Sequence, residues 1–337
     1  MTKFPLSAEP ASSGVPEAPR VLTFNHHEPF LLALAELPAR FDVVVKKGAL
    51  DLSWNTRARR PPENFRLIDF DAAVSGLRDG AYHAVVCHTV KNLGWMFPFR
   101  GPRYVFVAHI PLFAEGVLAR AKSAAKRAAL AGFALTHRLS FVAVSEWKRA
   151  SWNVKGAVTP FYPVPFPPEK VAREKAPGMR VAVVGNKIAS RGEEMGFALL
   201  ERVRALTPVE VIGNNPDVIG ARVPKDFDEF VRLFTGCSIY LYTIRQPQGD
   251  GYNTSMLEAM ALGMPVVTVP NASSPIVHGE NGLVGDTAEA LVAHIESLRR
   301  DGALRKRLGE AARATVNARF TRDAFLRTWR EVLGLER

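Results

Sequence analysis

Short apolar strands alternate with helical runs twice along this chain, and a proline cluster separates the two series. In the first series the strands expected are Val21–Phe24, Asp42–Val45, Arg66–Phe70, His83–Cys87, Tyr104–His109 and Phe141–Val144, with helical runs such as Pro29–Leu37 and Leu112–Thr136 between them. The second series has strands at Val181–Val184, Val209–Ile212, Ile239–Tyr242 and Val266–Val269, and three helical patterns close the chain, the last near Arg322–Leu333. Such alternation predicts parallel sheets with helices on both faces, a doubly wound α/β architecture. Pro160, Pro163, Pro165, Pro167 and Pro168 form a stiff connection between the series. With 337 residues there is enough chain for two full cores. The expected division is a disordered tail over 1–19, a first domain over 20–160, a linker over 161–178, a second domain over 179–319 and a final helix within 320–337.

Composition narrows the class. Apolar residues make up 47% and charged residues 23%, values of a soluble globular protein. No apolar run reaches the length of a membrane span, and the Pro-, Ala- and Ser-rich start reads as a disordered tail, not a signal peptide. The two cysteines, Cys87 and Cys237, lie in apolar runs that read as strands, so reduced core thiols of a cytoplasmic protein are expected. No His/Cys cluster has zinc spacing, and neither a metal nor a resident cofactor is expected.

The net charge of +11 is uneven. Residues 1–175 hold 24 Lys and Arg against 14 Asp and Glu, whereas residues 176–337 hold 20 against 19. The densest basic segment is Arg120, Lys122, Lys126 and Arg127, on a helical pattern that includes Leu118, Ala125, Leu130 and Phe133. This is either a solvated helix face or one that docks on an anionic membrane surface, which would make the protein peripheral at the inner face of a membrane. Nucleic acid is disfavoured as a partner, because no aromatic residues interleave with these cations.

The most specific stretch is Asp250-Gly251-Tyr252-Asn253-Thr254-Ser255-Met256-Leu257-Glu258, followed by Ala259-Met260-Ala261-Leu262-Gly263-Met264-Pro265. A helix of roughly ten residues is expected to start near Asn253 or Thr254 and to stop at Gly263, with Pro265 blocking continuation. Its first turn offers unpaired N–H groups beside the Thr254 and Ser255 hydroxyls, a place to hold a diphosphate. Glu258 falls one turn further along, and Asp250 lies on the loop before. Two acids flanking an anion pocket suit a nucleotide-diphosphate sugar, which has hydroxyl-rich groups on either side of its phosphates.

These residues resemble the signature of the retaining GT-B glycosyltransferases of family four, in which two Glu separated by seven residues precede Ala-Met-Ala-x-Gly-x-Pro-Val-Val. Gly279-Glu280-Asn281-Gly282-Leu283-Val284 is similar to that family's next motif. The resemblance implies a GT-B fold, two Rossmann-like domains facing across a cleft, with a final helix (here Arg322–Leu333) crossing back to the first. It implies sugar transfer from a nucleotide sugar to a hydroxyl of a glycan or lipid-linked acceptor, without a metal. In the family the first acid, at Asp250 here, hydrogen-bonds the donor sugar and supports developing positive charge, while the second, at Glu258, binds the ribose.

The resemblance also assigns Gly185, Asn186 and Arg191 to the donor diphosphate, and Gly251, Tyr252, Asn253, Thr254 and Ser255 to the donor site. His109, at a strand end, is placed beside the reaction centre. Ser145 matches a common family serine, and it equally suits a helix N-cap. Several positions depart from the pattern. Asp250 is one methylene shorter than Glu, Asn186 stands where an Arg is usual, and Tyr252-Asn253 replaces Phe-Gly, with Asn tolerant of the left-handed conformation after Gly. Lys187 is the nearest substitute for the missing cation. No Gly-rich loop follows the first strand; His26 and His27 stand there, either to contact an acceptor or to cap the helix beginning near Pro29. A non-catalytic nucleotide-sugar-binding scaffold and a nucleotide-sugar epimerase of the same fold are the alternatives. A dinucleotide-dependent dehydrogenase is disfavoured by the absence of that run of glycines.

Overall fold

The computed structural model of the chain describes residues 18–55, 59–112, 116–171 and 178–335, so residues 1–17 of the expected tail lie outside them. The first series forms β1 (Arg20–Phe24), α1 (Glu28–Leu34), β2 (Arg40–Lys47), β3 (Leu50–Asp51), β4 (Phe65–Asp69), α2 (Phe70–Arg78), β5 (Ala84–Cys87), α3 (Val90–Met96), β6 (Arg103–Ala108), α4 (Val117–Thr136), β7 (Leu139–Ala143), α5 (Glu146–Trp152) and β8 (Ala157–Val158). The second forms β9 (Val181–Val184), α6 (Ile188–Arg191), α7 (Phe197–Leu206), β10 (Glu210–Ile212), α8 (Phe227–Thr235), β11 (Ile239–Tyr242), α9 (Thr254–Ala261), β12 (Val266–Thr268), β13 (Gly282–Val284), α10 (Ala288–Arg300), α11 (Gly302–Arg319) and α12 (Arg322–Leu333).

Each series makes its own sheet. In the first, β2, β1, β5, β6, β7 and β8 are neighbours in that order and run parallel. β4 pairs with β2 in parallel, and the short β3 pairs with it antiparallel. The second sheet has the order β10-β9-β11-β12-β13 and is parallel throughout. Because a parallel sheet lines up its carboxyl ends, every loop that leaves a strand end gathers along one rim. Most of the candidate site residues lie on or beside those rims.

Strand alternation gives the first sheet two buried faces. Val21, Val43, Val86, Val105 and Val107 pack under α1 and α12, whereas Leu22, Phe24, Val85, Tyr104 and Phe106 pack on the other side against Leu130 and Phe133 of α4 and Trp152 of α5. The proline connection spans both domains: Phe161 and Tyr162 belong to the first core, and Phe166 to the second. α12 also belongs to the first core, although it follows the second sheet in the chain. Phe325 and Trp329 meet Phe30 edge to face at 6.0 and 5.5 Å, His83 hydrogen-bonds the Leu333 carbonyl at 2.8 Å, and Arg322 pairs with Glu36.

Some boundaries differ from the sequence reading. The helix expected over 112–136 begins at Val117, with 113–115 outside the described residues. The strand expected to include Phe70 stops at Asp69, whose carboxylate caps α2 by accepting from the Ala72 N–H, so capping overrides the apolar run. Cys237 lies between α8 and β11 and not in a strand, where its thiol contacts the Leu233 carbonyl at 3.4 Å; both cysteines are buried, and neither forms a disulfide among the described residues. No helix among the described residues is long and apolar enough to cross a membrane.

Trp329 is fully buried. Trp329→Ala should therefore destabilise the first domain by about 3–5 kcal/mol, read as a lower urea midpoint with the second domain's transition left in place.

Candidate active site

The two rims face each other, and the polar loops meet at Asp250. β11 ends at Tyr242, whose hydroxyl donates to the Asp250 carbonyl at 2.8 Å. The Asp250 side chain is buried and crosses to the first domain. One carboxylate oxygen accepts from the Ser145 hydroxyl at 2.7 Å, and the other pairs with the Lys148 ammonium at 2.6 Å. Ser145 is also the N-cap of α5, accepting from the Lys148 N–H, as the capping reading of that serine expects. Two residues on, the Tyr252 hydroxyl donates to the Val144 carbonyl at 3.3 Å. Gly251 packs so tightly on the Ser274 backbone that a Cβ would lie 2.3 Å from its nitrogen, so no larger residue fits that turn.

Asn253 is extended (φ −130°, ψ 175°) and not left-handed, because it caps α9: its side-chain oxygen accepts from the Met256 N–H at 2.7 Å. That leaves the N–H groups of Thr254 and Ser255 at the helix tip with no acceptor among the described residues. The helix stops where the sequence places the stop, with Gly263 at φ +72°. α11 is held close behind it: a Cβ on Gly309 would meet the Gly263 carbonyl at 2.0 Å. Glu258, on the second turn of α9, is buried, and its carboxylate makes no hydrogen bond and no ion pair among the described residues. Burial pushes its pKa up to about 8, with the Arg59 charge acting in the opposite direction.

The loop after β9 lies beside this tip but is differently built than expected. The Asn186 side-chain oxygen accepts from the Asn214 N–H at 2.8 Å, and the Gly185 carbonyl accepts from the Asn215 side chain at 2.7 Å. Asn186 thus ties this loop to the one after β10, which leaves its amide nitrogen alone to face a ligand. Arg191 ends the one-turn helix α6 and does not lie on the loop before it; it pairs with Glu194 at 3.2 Å, is exposed, and lies within electrostatic reach of Tyr242.

Across the cleft, four of the eight histidines cluster. His109, following β6, and His88, following β5, are linked ring to ring at 2.9 Å, and His88 reaches the Thr23 hydroxyl on β1 at 2.9 Å. Thr23 donates onward to the Val86 carbonyl at 3.4 Å. That order of donors assigns a tautomer: His88 Nε2–H donates to Thr23, and His109 Nε2–H donates to His88 Nδ1. His109 Nδ1 is left as a lone-pair acceptor. His27 Nδ1 accepts from the Phe30 N–H as the N-cap of α1, and its pKa is pushed down to about 4 by desolvation, then by repulsion from His26 and Lys148. Desolvation, reinforced by the neighbouring rings, holds His88 and His109 well below the ordinary histidine value, and Lys148 adds to this at His109. Desolvation also lowers His26. All four rings are therefore biased toward the neutral form.

The structure therefore gathers His26, His27, His109, Asp250, Tyr252 and the α9 tip around one cleft, and sets Arg191 and Asn186 at its second-domain margin. Sequence reading missed Lys148, His88 and Arg59. His88 had a usable signal, since it directly follows a strand at the carboxyl rim. Lys148 lies three residues beyond Ser145, a spacing that puts both on one helix face. Among the described residues no group of three or more His, Cys, Asp or Glu is arranged to hold a metal ion.

Residues 169–331 match the family model described as glycosyl transferase-like. No curated protein matches the chain. Among solved structures, Anabaena HepE in complex with UDP-glucose superposes with a TM-score of 0.69 at 13% identity, covering 94% of this chain and 100% of that one. Sucrose-phosphate synthase from Thermosynechococcus elongatus gives 0.66 at 13%, again with 94% and 100% covered. WaaG, a glycosyltransferase involved in lipopolysaccharide biosynthesis, gives 0.54 at 16%, with 93% and 98% covered. The fold is GT-B, and the glycosyl transferase-like domain supports a transferase.

The raised pKa of Glu258 has a signed consequence for stability. A carboxyl whose folded pKa lies above its unfolded one favours the folded state below the unfolded value, near 4.5, and that contribution is lost as pH rises to about 8. In thermal or urea unfolding without ligand, Glu258→Gln should gain on the native protein from about pH 5 upward, by at most ~1.4 kcal/mol per pH unit, and the gap should level off above about pH 8.

Proposed function

We propose that this protein is a metal-independent, retaining glycosyltransferase that moves a sugar from a nucleotide-diphosphate sugar to a hydroxyl of a glycan or lipid-linked acceptor in polysaccharide or cell-envelope synthesis. The observation that carries the reading is the open tip of α9 beside the unpartnered, buried Glu258. The N–H groups and hydroxyls of Thr254 and Ser255, together with Arg191, hold the diphosphate. Glu258 accepts hydrogen bonds from the ribose hydroxyls. Asp250 orients the donor sugar, with Gly251, Tyr252 and Asn253 shaping its turn and Gly185 and Asn186 closing the margin. His109, kept neutral, offers Nδ1 to a sugar hydroxyl from the first domain.

The reaction follows from that arrangement. The acceptor oxygen bonds to the anomeric carbon on the face from which the diphosphate leaves. The broken C–O bond's electron pair departs with the diphosphate, and the acceptor's proton passes to a phosphate oxygen. Preorganised N–H groups and Arg191 stabilise the charge that builds on the leaving group, usually the largest catalytic contribution. His26 and His27 stand at the acceptor side. Solved relatives of this fold support the reading: HepE holds UDP or UDP-glucose, and WaaG acts in lipopolysaccharide biosynthesis.

A binding protein without turnover is the competing reading. The engagement of both Asp250 carboxylate oxygens by Ser145 and Lys148 is on its side. A pooled screen of nucleotide sugars separates the two, since a scaffold binds without hydrolysis or transfer. Glu258→Ala should weaken binding of the preferred nucleoside diphosphate roughly 10- to 100-fold, the loss expected for hydrogen bonds to a charged group; unchanged affinity in calorimetry removes the ribose role.

α4 is the part of the first domain suited to an anionic membrane surface. Leu130 and Phe133 turn into the core, whereas Val117, Leu118 and Leu135 face solvent on the helix that carries Arg120, Lys122, Lys126 and Arg127. Arg127 also donates to the Ser151 carbonyl at 3.2 Å. Sedimentation with phosphatidylglycerol vesicles should show binding that falls several-fold between about 50 and 300 mM salt; equal recovery in the supernatant at both salts removes the membrane role.

A further inference from the structure

Two titratable groups of opposite sign, one from each domain, lack a side-chain hydrogen bond or ion pair among the described residues. Glu258 is one. The other is Arg59, on the first-domain loop between β3 and β4, whose guanidinium makes no hydrogen bond and no ion pair among the described residues. The Arg59 backbone is anchored to the first domain. Buried Trp54 packs edge to face on Phe65 at 6.0 Å and donates its indole N–H to the Arg59 carbonyl at 2.7 Å. The Arg59 N–H donates to the Asn55 carbonyl, and the Asn55 N–H donates to Glu28 at the start of α1.

From that anchor the side chain crosses to the second domain. Its guanidinium carbon stands 4.1 Å from the centroid of the Phe227 ring, the first residue of α8. Phe227 in turn packs on Phe166 and Phe230 at 6.1 and 6.2 Å. A guanidinium laid over an aromatic face keeps the N–H donors around its edge available for hydrogen bonds. The same cation lies within electrostatic reach of Glu258, without forming an ion pair with it. A half-buried arginine and a buried glutamate that attract each other across a gap, neither with a side-chain hydrogen bond among the described residues, suit a ligand rich in hydroxyls and carbonyls.

We propose that Arg59 is a donor-binding residue contributed by the first domain: held over Phe227, it closes the nucleoside end of the cleft and acts with Glu258 on the same nucleotide. This rests on the reading that a nucleoside diphosphate occupies the α9 tip, and it deepens that reading by naming which part of the ligand touches both domains. Glu258 lies one turn away from the tip that takes the phosphates. Arg59 therefore meets the ribose and base side, where ring carbonyls and sugar oxygens accept its N–H groups. Phe227 restricts how far the cation can swing, so a lysine at 59 supplies charge without the planar fit.

The test titrates UDP, GDP and ADP, and the corresponding monophosphates, into the full chain by calorimetry. For the tightest diphosphate, Arg59→Gln and Phe227→Ala should each weaken binding about tenfold, with melting temperature unchanged for Arg59→Gln and Arg59→Lys recovering part of the loss. The fold-loss should be the same for the monophosphate as for the diphosphate. Arg59→Gln combined with Glu258→Gln should lose less than the product of the two single effects. Arg59→Gln within twofold of the native protein, while Glu258→Gln loses affinity, overturns this inference and leaves the wider reading standing. A loss confined to the diphosphate makes Arg59 a phosphate contact and also overturns it. No binding of any of these nucleotides to the native protein defeats both.

Discussion

The carboxylate of Asp250 is the interaction on which the arrangement of this molecule turns. It is supplied by the loop after β11 of one sheet and held by Ser145 and Lys148 at the start of α5 on the other. A buried charge is tolerable only when it is paired and hydrogen-bonded, and here the partners come from the opposite domain. The Tyr252 hydroxyl on Val144 adds a neutral contact two residues away. The cleft is therefore not a mere gap between two lobes. Its floor is an electrostatic joint, and a sugar that engages Asp250 must exchange bonds with Lys148 or share its carboxylate with it. On the proposed function, donor binding and the relation between the domains are linked through one side chain.

Around that joint the protein sets groups whose protonation burial shifts strongly. The histidine cluster is kept neutral by desolvation and by mutual repulsion, and the hydrogen-bond chain from Val86 through Thr23 and His88 decides which nitrogen of His109 carries the proton. Lys148 stands close enough to oppose protonation of both His27 and His109 while it pairs with Asp250. On the far wall Glu258 is driven the other way, toward its neutral form, and only Arg59 resists. A ligand that brings hydroxyl donors to Glu258 lowers the cost of its charge.

Much of this was legible in the sequence, for identifiable reasons. Four-residue apolar runs such as Val181–Val184 and Ile239–Tyr242 are long enough to be buried strands and too short to be helices, and both are strands over those same residues. The helix beginning at Thr254 and its stop at Gly263 follow from local cap chemistry, which the chain carries within a few residues. What escaped detection depends on distance. Lys148 gains its meaning from a residue a hundred positions away, and Arg59 from Phe227 and Glu258 in another domain. The bond from the Asn214 N–H to the Asn186 side-chain oxygen, which ties two loops together, depends on the sheet's topology and could not be read locally either. Asn253 was read as a left-handed turn residue, and capping required it to be extended instead.

α12 carries a consequence for how the protein is made. Its Phe325, Leu326, Trp329 and Leu333 fill the same core as Val21 and Phe41, which lie some three hundred positions earlier in the chain. A ribosome releases the amino-terminal sheet long before the residues that cover its face. That half must wait, partly uncovered, while the whole of the other half is translated and folds. Contacts of such sequence separation close slowly, so that face of the first sheet stays without its α12 cover until nearly the whole second half of the chain has been made.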